Sequence, residues 1–372
     1  MKGRAVTLIL IPLAVVTYLA AVGCVMWPTA APVDKPLTAV AEADPPRAVA
    51  IPAAQLDTLP MRGVVLQVQR IDSPDVYHKA IDDISALGAD TVEIAVDSRQ
   101  ENGTSSMIFL DMRMSPSPEK LADLIKYAKG KGLRVILMPI VLIEKPRGNE
   151  WRGTIKPESW DDWFGSYREV VRHYAQAAEA GGADVFVVGS ELLSTEMYRD
   201  QWLRTIHEVR RLFHGMLTYS ANWDHYRSVQ FWDQLDLVST NSYYKLGENR
   251  DVSVEEIVTR WRAIQKDLLP WVHGMHKPFM FTEVGWCSVA NAAHEPWDYT
   301  QQSVPIDQDL QRKLYEGFFK AWYGEPQLGG FNIWQWTPGG GGPDDRNYTP
   351  AGKPAEKVLR DWLAKPRWKA NP

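Results

Sequence analysis

Cysteine is almost absent from this 372-residue chain: Cys24 and Cys287 are the only two. One disulfide at most can form, which excludes a disulfide scaffold and a cysteine-rich zinc site. Cys287 reads as a small, partly buried apolar residue. Long basic runs are missing as well. With 41 basic against 46 acidic residues the net charge is −5, so a nucleic-acid backbone is not an expected partner. No glycine fingerprint follows the first strand-like segment, which counts against a dinucleotide-binding sheet. The glycine run Pro338–Pro343 lacks the Gly-Lys-Ser/Thr ending of a phosphate loop and reads as a loop of another kind.

What the chain does have is 45% hydrophobic residues and 16 tryptophans. Disorder throughout is excluded by that content. A buried indole needs a partner for its N–H, so this many Trp suggests that some line a groove for flat, partly apolar ligands.

The N-terminus reads as an address. Lys2 and Arg4 precede an uncharged run of 23 residues, Ala5–Trp27. That is longer than the ~7–15 of a cleaved apolar region and long enough to span a bilayer. Ala21-Val22-Gly23-Cys24 is similar to a bacterial lipobox, with Ala21 where Leu is usual and Cys24 as the lipidation site. Lipoprotein, uncleaved anchor and cleaved signal stay open, in that order of preference; each places the remainder outside the cytoplasm, touching a membrane only through residues 1–27. Residues 28–60 hold seven Pro and nine Ala and few large apolar side chains, the composition of an extended, disordered tether.

From Met61 the pattern alternates between strand and helix up to residue 366. Strands are expected at Gly63–Arg70, Thr91–Val96, Arg134–Ile143, Val185–Val188, Leu217–Ala221, Leu237–Asn241, Phe279–Thr282 and Phe331–Trp336. Helices are expected at Asp75–Leu87, Pro118–Lys131, a segment capped by Ser159 and ended by Gly181-Gly182, Gln201–Phe213, Val254–Leu269, Ile306–Tyr323 and Ala355–Leu363, with only a short turn near Phe231. Eight such units match an α/β fold of the (β/α)₈ barrel type, whose chemistry sits at the C-terminal ends of the strands. His273 and His276 precede strand seven, on the opposite face, so neither a metal nor a cofactor is implied.

Two carboxylates stand at the ends of apolar strands: Glu191 closes VFVVGSE and Glu283 closes FMFTE. A pair of carboxyl groups flanking a scissile bond is the requirement of glycoside hydrolysis, one protonating the leaving oxygen, the other attacking or activating water. Either Tyr243 or Tyr244 could donate a hydrogen bond to Glu283. Asn222 and Trp223 end strand five. Trp334 and Trp336 alternate about Gln335 and are candidates for a sugar platform. Trp151, Arg152, Trp286 and Trp297 are candidates for outer subsite walls.

The order and spacing of Gly132-Leu133-Arg134-Val135, Trp151-Arg152-Gly153, Gly189-Ser190-Glu191-Leu192, Ala221-Asn222-Trp223 and Phe281-Thr282-Glu283-Val284-Gly285 resemble glycoside hydrolase family 113 from about Gly63 to Trp362. This is a β-mannanase family of a large retaining clan of (β/α)₈ barrels. The resemblance implies Glu191 as acid/base, Glu283 as nucleophile, and β-1,4-mannan or glucomannan as substrate. Most families of that clan carry Asn before the acid/base; here it is Ser190, which leaves Asn222 as the candidate for the sugar 2-hydroxyl. An envelope-tethered transglycosylase or exopolysaccharide hydrolase, and a non-catalytic glycan-binding barrel, are the alternatives. A monomer is expected.

Overall fold

The computed structural model describes residues 57–69, 74–300 and 303–370. The expected export segment, Cys24 and nearly all of the expected tether fall outside the described residues. No helix among the described residues is long and apolar enough to cross a membrane.

Eight parallel strands form a closed ring: β1 Met61–Val68, β2 Thr91–Gln100, β3 Arg134–Ile143, β4 Val185–Ser190, β5 Met216–Ala221, β6 Val238–Asn241, β7 Phe279–Val284 and β8 Leu328–Ile333. β1 pairs with both β2 and β8, which closes the barrel. Helices α1 Pro74–Ala86, α2 Pro118–Gly130, α3 Trp160–Gly181, α4 Arg199–Arg210, α5 Val254–Met275, α6 Gln308–Trp322 and α7 Pro354–Leu363 alternate with the strands. After β5 two 3₁₀ turns, Tyr226–Ser228 and Trp232–Gln234, stand in for a helix.

The local chemistry explains the boundaries. In α3 the Ser159 hydroxyl accepts the Asp162 N–H, Asp161 and Asp162 oppose the positive helix end, and Gly182 ends the helix at φ 76°, a conformation that costs glycine least. The expected end of α5 before Pro270 is not where it stops. The helix runs on to Met275, because one lost N–H is outweighed by burial of Val272 against the core. A two-residue strand, Ile108–Phe109, folds back antiparallel on the end of β2, a pairing too short to leave a sequence signature. Beyond α7, Arg367 donates to the Thr58 and Leu59 carbonyls at 3.2 and 3.0 Å, and Trp368 Nε1 to the Leu328 carbonyl at 3.1 Å, closing the N-terminal end of the barrel.

Two cores result. Val65, Ala95, Ile136, Met138, Val185, Val187, Leu237 and Met280 fill the barrel interior. A larger shell between strands and helices takes most of the aromatics. The abundance of Trp is chiefly a matter of this shell: Trp163, Trp202, Trp261, Trp286 and Trp322 are fully buried, whereas Trp151 and Trp297 are exposed. Filling the wide gap between helix and strand favours large rings. Cys287 is buried, and burial pushes its thiol up to about 12.

One interior residue went unnoticed in the sequence. Glu93 lies in register with Val65 and Ile136, so its side chain enters the barrel. It is fully buried, neither oxygen has a partner, and desolvation, with the charge of Glu283, holds its carboxyl well above the usual range. The folded protein therefore keeps a proton that the unfolded chain releases above its ordinary carboxylate pKa. Stability is lost as pH rises through that window. Glu93→Gln should unfold at higher urea than the parent at pH 8, with the gap between the two shrinking towards pH 4. A gap independent of pH would show that Glu93 is ionised in the fold.

Candidate active site

β4 and β7 deliver Glu191 and Glu283 to the C-terminal mouth, and both carboxyls are enclosed, at 6% and 2% exposure. Glu191 follows the last residue of β4 and takes φ 53°; its N–H donates to the Ser220 carbonyl at 2.8 Å. Both of its oxygens are engaged. Asn241 Nδ2 donates to Oε1, and Arg152 Nη2 forms an ion pair with Oε2. Glu283 is held differently: the Tyr243 hydroxyl donates to Oε2 at 2.6 Å, while the buried Oε1 has no partner. Desolvation and the negative charge of Glu191 push Glu283 up to about 7, against the lowering influence of Arg152 and of the Tyr243 hydrogen bond. Arg152 thus interacts with both carboxyls. Two acids and one cation are neutral together when they share a single proton.

The structure distinguishes between the two tyrosines. Tyr243 reaches Glu283, while the Tyr244 hydroxyl donates to the Trp223 carbonyl at 3.2 Å. Asn222 accepts from Asn241 at 3.1 Å and donates to Asp224 at 2.6 Å. Trp223 is half-buried, donates its backbone N–H to Asn241 Oδ1 at 2.9 Å, and lies parallel to the exposed Trp297 with ring centres 6.3 Å apart. Trp151 is exposed, its ring lying over Gly153.

Three expectations need correction. Arg152 is no outer wall: it reaches inward and pairs with Glu191. Trp286 is fully enclosed, edge-on to Tyr315 at 5.1 Å, and has no surface to offer a sugar. Trp334 and Trp336 do not share a face of β8, which ends at Ile333. The Trp334–Gln335 peptide is cis. Trp334 is half-buried against the interior core, and Trp336 is buried in the outer shell. Gly285 makes room for this turn, since a Cβ there would lie 2.1 Å from the Trp334 carbonyl oxygen.

Asn241 is the site residue the sequence reading passed over. Its signal was modest: an amide as the last residue of β6. Its amide joins Glu191, Asn222 and the backbone of Trp223, so one side chain ties three strand ends together.

A closed parallel barrel with two enclosed, electrostatically coupled carboxyls at its C-terminal mouth is the architecture of a glycoside hydrolase. Residues 74–349 match the profile of Glycoside Hydrolase Family 113, and the chain belongs to that family. Among solved structures it is similar to the β-mannanase AaManA of Alicyclobacillus acidocaldarius in complex with ManMIm, at 29% identity and a TM-score of 0.74, covering 83% of this chain and 99% of that one. It is also similar to a GH113 β-1,4-mannanase at 26% identity and a TM-score of 0.75, covering 83% and 100%. A complex of a GH113 β-1,4-mannanase matches at 25% identity and 0.74, covering 83% and 99%. A comparison with curated protein sequences finds no match. The enzyme is a β-mannanase-like glycoside hydrolase.

Proposed function

We propose that this enzyme cleaves β-1,4-mannan or glucomannan with retention of configuration, by double displacement between Glu283 and Glu191. The observation that carries the reading is the unequal engagement of the two carboxyls. Glu283 has one oxygen fixed by Tyr243 and the other bare, which suits a nucleophile whose free lone pair faces an anomeric carbon. Glu191 has both oxygens occupied, Oε2 by the cation of Arg152. For Glu191 to protonate a leaving oxygen, that oxygen must take the place of Arg152 at Oε2. Arg152 then remains near Glu283, where it favours the ionised nucleophile.

In the first step Glu283 Oε1 bonds to the anomeric carbon as the glycosidic C–O bond breaks, and Glu191 gives its proton to the departing oxygen. In the second, Glu191 takes a proton from water, whose oxygen displaces Glu283. Retention needs carboxyl groups about 5–5.5 Å apart, against about 6.5–9.5 Å for inversion. Mannan as substrate is supported by the β-mannanases to which the chain is similar.

The test is hydrolysis of a panel of β-glycans, with the configuration of the first-formed product followed by NMR. A β-anomer released from mannan before mutarotation is expected. An α-anomer would exclude double displacement, and cleavage of glucan or xylan in preference to mannan would exclude the substrate.

A further inference from the structure

The turn that carries Glu191 is tied to a buried hydrogen-bond chain that does not touch the carboxyl pair. The N–H of Leu192, the next residue, donates to the Tyr219 hydroxyl oxygen at 2.9 Å. That hydroxyl donates in turn to Glu196 Oε1 at 2.9 Å. Glu196 Oε2 meets the His225 ring nitrogen Nδ1 at 2.6 Å. Tyr219 is fully buried and Glu196 is 1% exposed, whereas the His225 side chain is 38% exposed. The backbone N–H of His225 donates to the Asn222 carbonyl at 2.9 Å, so the chain ends on the loop of Asn222 and Trp223.

We propose that Glu196, acting through Tyr219, is a positioning residue for the acid/base Glu191. A phenol placed between an N–H and a carboxylate has its orientation decided: the proton goes to the carboxylate, and the lone pair is left for the N–H. The lone pair here faces Leu192, whose N–H would otherwise lack that acceptor inside the fold. Glu191 sits at φ 53°, a region that residues with a Cβ seldom occupy unless their neighbours hold them there. Its own N–H is fixed by Ser220, and the N–H that follows is fixed by Tyr219. Between them the two bonds set the direction in which the Glu191 side chain leaves the backbone. Tyr219 is further held by Trp202 and Phe231, at 5.3 and 5.2 Å between ring centres, so it has little freedom to follow a displaced partner. Glu196 thus fixes both the acid/base turn and, through His225, the neighbouring loop.

This rests on Glu191 being the acid/base, and the test separates the two claims. Tyr219→Phe and Glu196→Gln are compared with Glu191→Ala on aryl β-mannobiosides whose leaving groups range from dinitrophenol to phenol. General acid catalysis is worth ~10²–10⁴-fold and a small misplacement up to ~10²-fold. Both positioning variants should therefore lose ~10–100-fold in kcat on phenyl substrates, with KM little changed, and only a few-fold on dinitrophenyl substrates. Glu196→Gln, which keeps an acceptor for Tyr219, should lose less than Tyr219→Phe. A loss of the same size on every leaving group, or none, overturns the proposal, and Glu196→Gln decides it should Tyr219→Phe fail to fold. If Glu191→Ala itself shows no dependence on the leaving group, the assignment of Glu191 fails instead.

Discussion

Replacing Glu283 by alanine is expected to abolish turnover on every substrate, whatever its leaving group, with a loss on the order of 10⁴-fold or more. No covalent glycosyl-enzyme should accumulate, and added azide should enter the cavity left by the carboxylate and give a glycosyl azide of inverted configuration. Glu191→Ala should behave in the opposite way. Its first step should persist with activated leaving groups, which depart without a proton, and azide should intercept the intermediate to give the retained configuration. On natural linkages the same variant should lose ~10²–10⁴-fold. The asymmetry follows from the site: Glu283 keeps one oxygen bare, while both oxygens of Glu191 are engaged. Exchanged phenotypes would reverse the roles. Losses below about 10-fold in both variants, worth only ~1.4 kcal/mol, would place the chemistry elsewhere.

Arg152→Met should have the second largest effect, read best as a pH profile. Arg152 is the cation that holds Glu283 down while burial and Glu191 drive it up to about 7. Without it the carboxyl pair loses its neutralising partner, and Glu283 becomes harder to ionise. Since attack needs the carboxylate, the acidic limb of kcat/KM should move to higher pH by roughly one unit or more. Activity at pH 6 should fall further than activity at pH 8. Tyr243→Phe removes the hydrogen bond to Oε2 and should move the limb in the same direction by less. The limb that moves belongs to the pair, because two coupled acids titrate together. An unmoved limb in Arg152→Met, measured on an activated aryl glycoside, would show that the guanidinium leaves Glu283 unaffected.

The amino-acid sequence was sufficient for whatever depends on neighbours along the chain. Apolar runs ended by Gly132 or Gly182, the Ser159 cap and the eightfold alternation define the strands and helices to within a few residues, since each depends on periodicity and capping inside a short window. Glu191 and Glu283 stood out for the same reason, as acids terminating runs that have no other use for a charge. Relations across the ring were decided by tertiary structure alone. Arg152, nine residues past β3, looked like a loop residue until folding carried it to Glu191. Glu93 is one polar position among apolar neighbours along the chain, and only the register turns it into the barrel. Asn241, Tyr219 and Glu196 acquire their partners from different strands and turns, 18–50 residues away. Trp286 could not be told from an exposed Trp297 by sequence, because burial depends on which helix covers a loop, and α6 covers Trp286 through Tyr315. Closing eight strands into a ring places side chains distant in sequence within a few ångströms of one another, and no periodicity along the chain encodes which of them will meet.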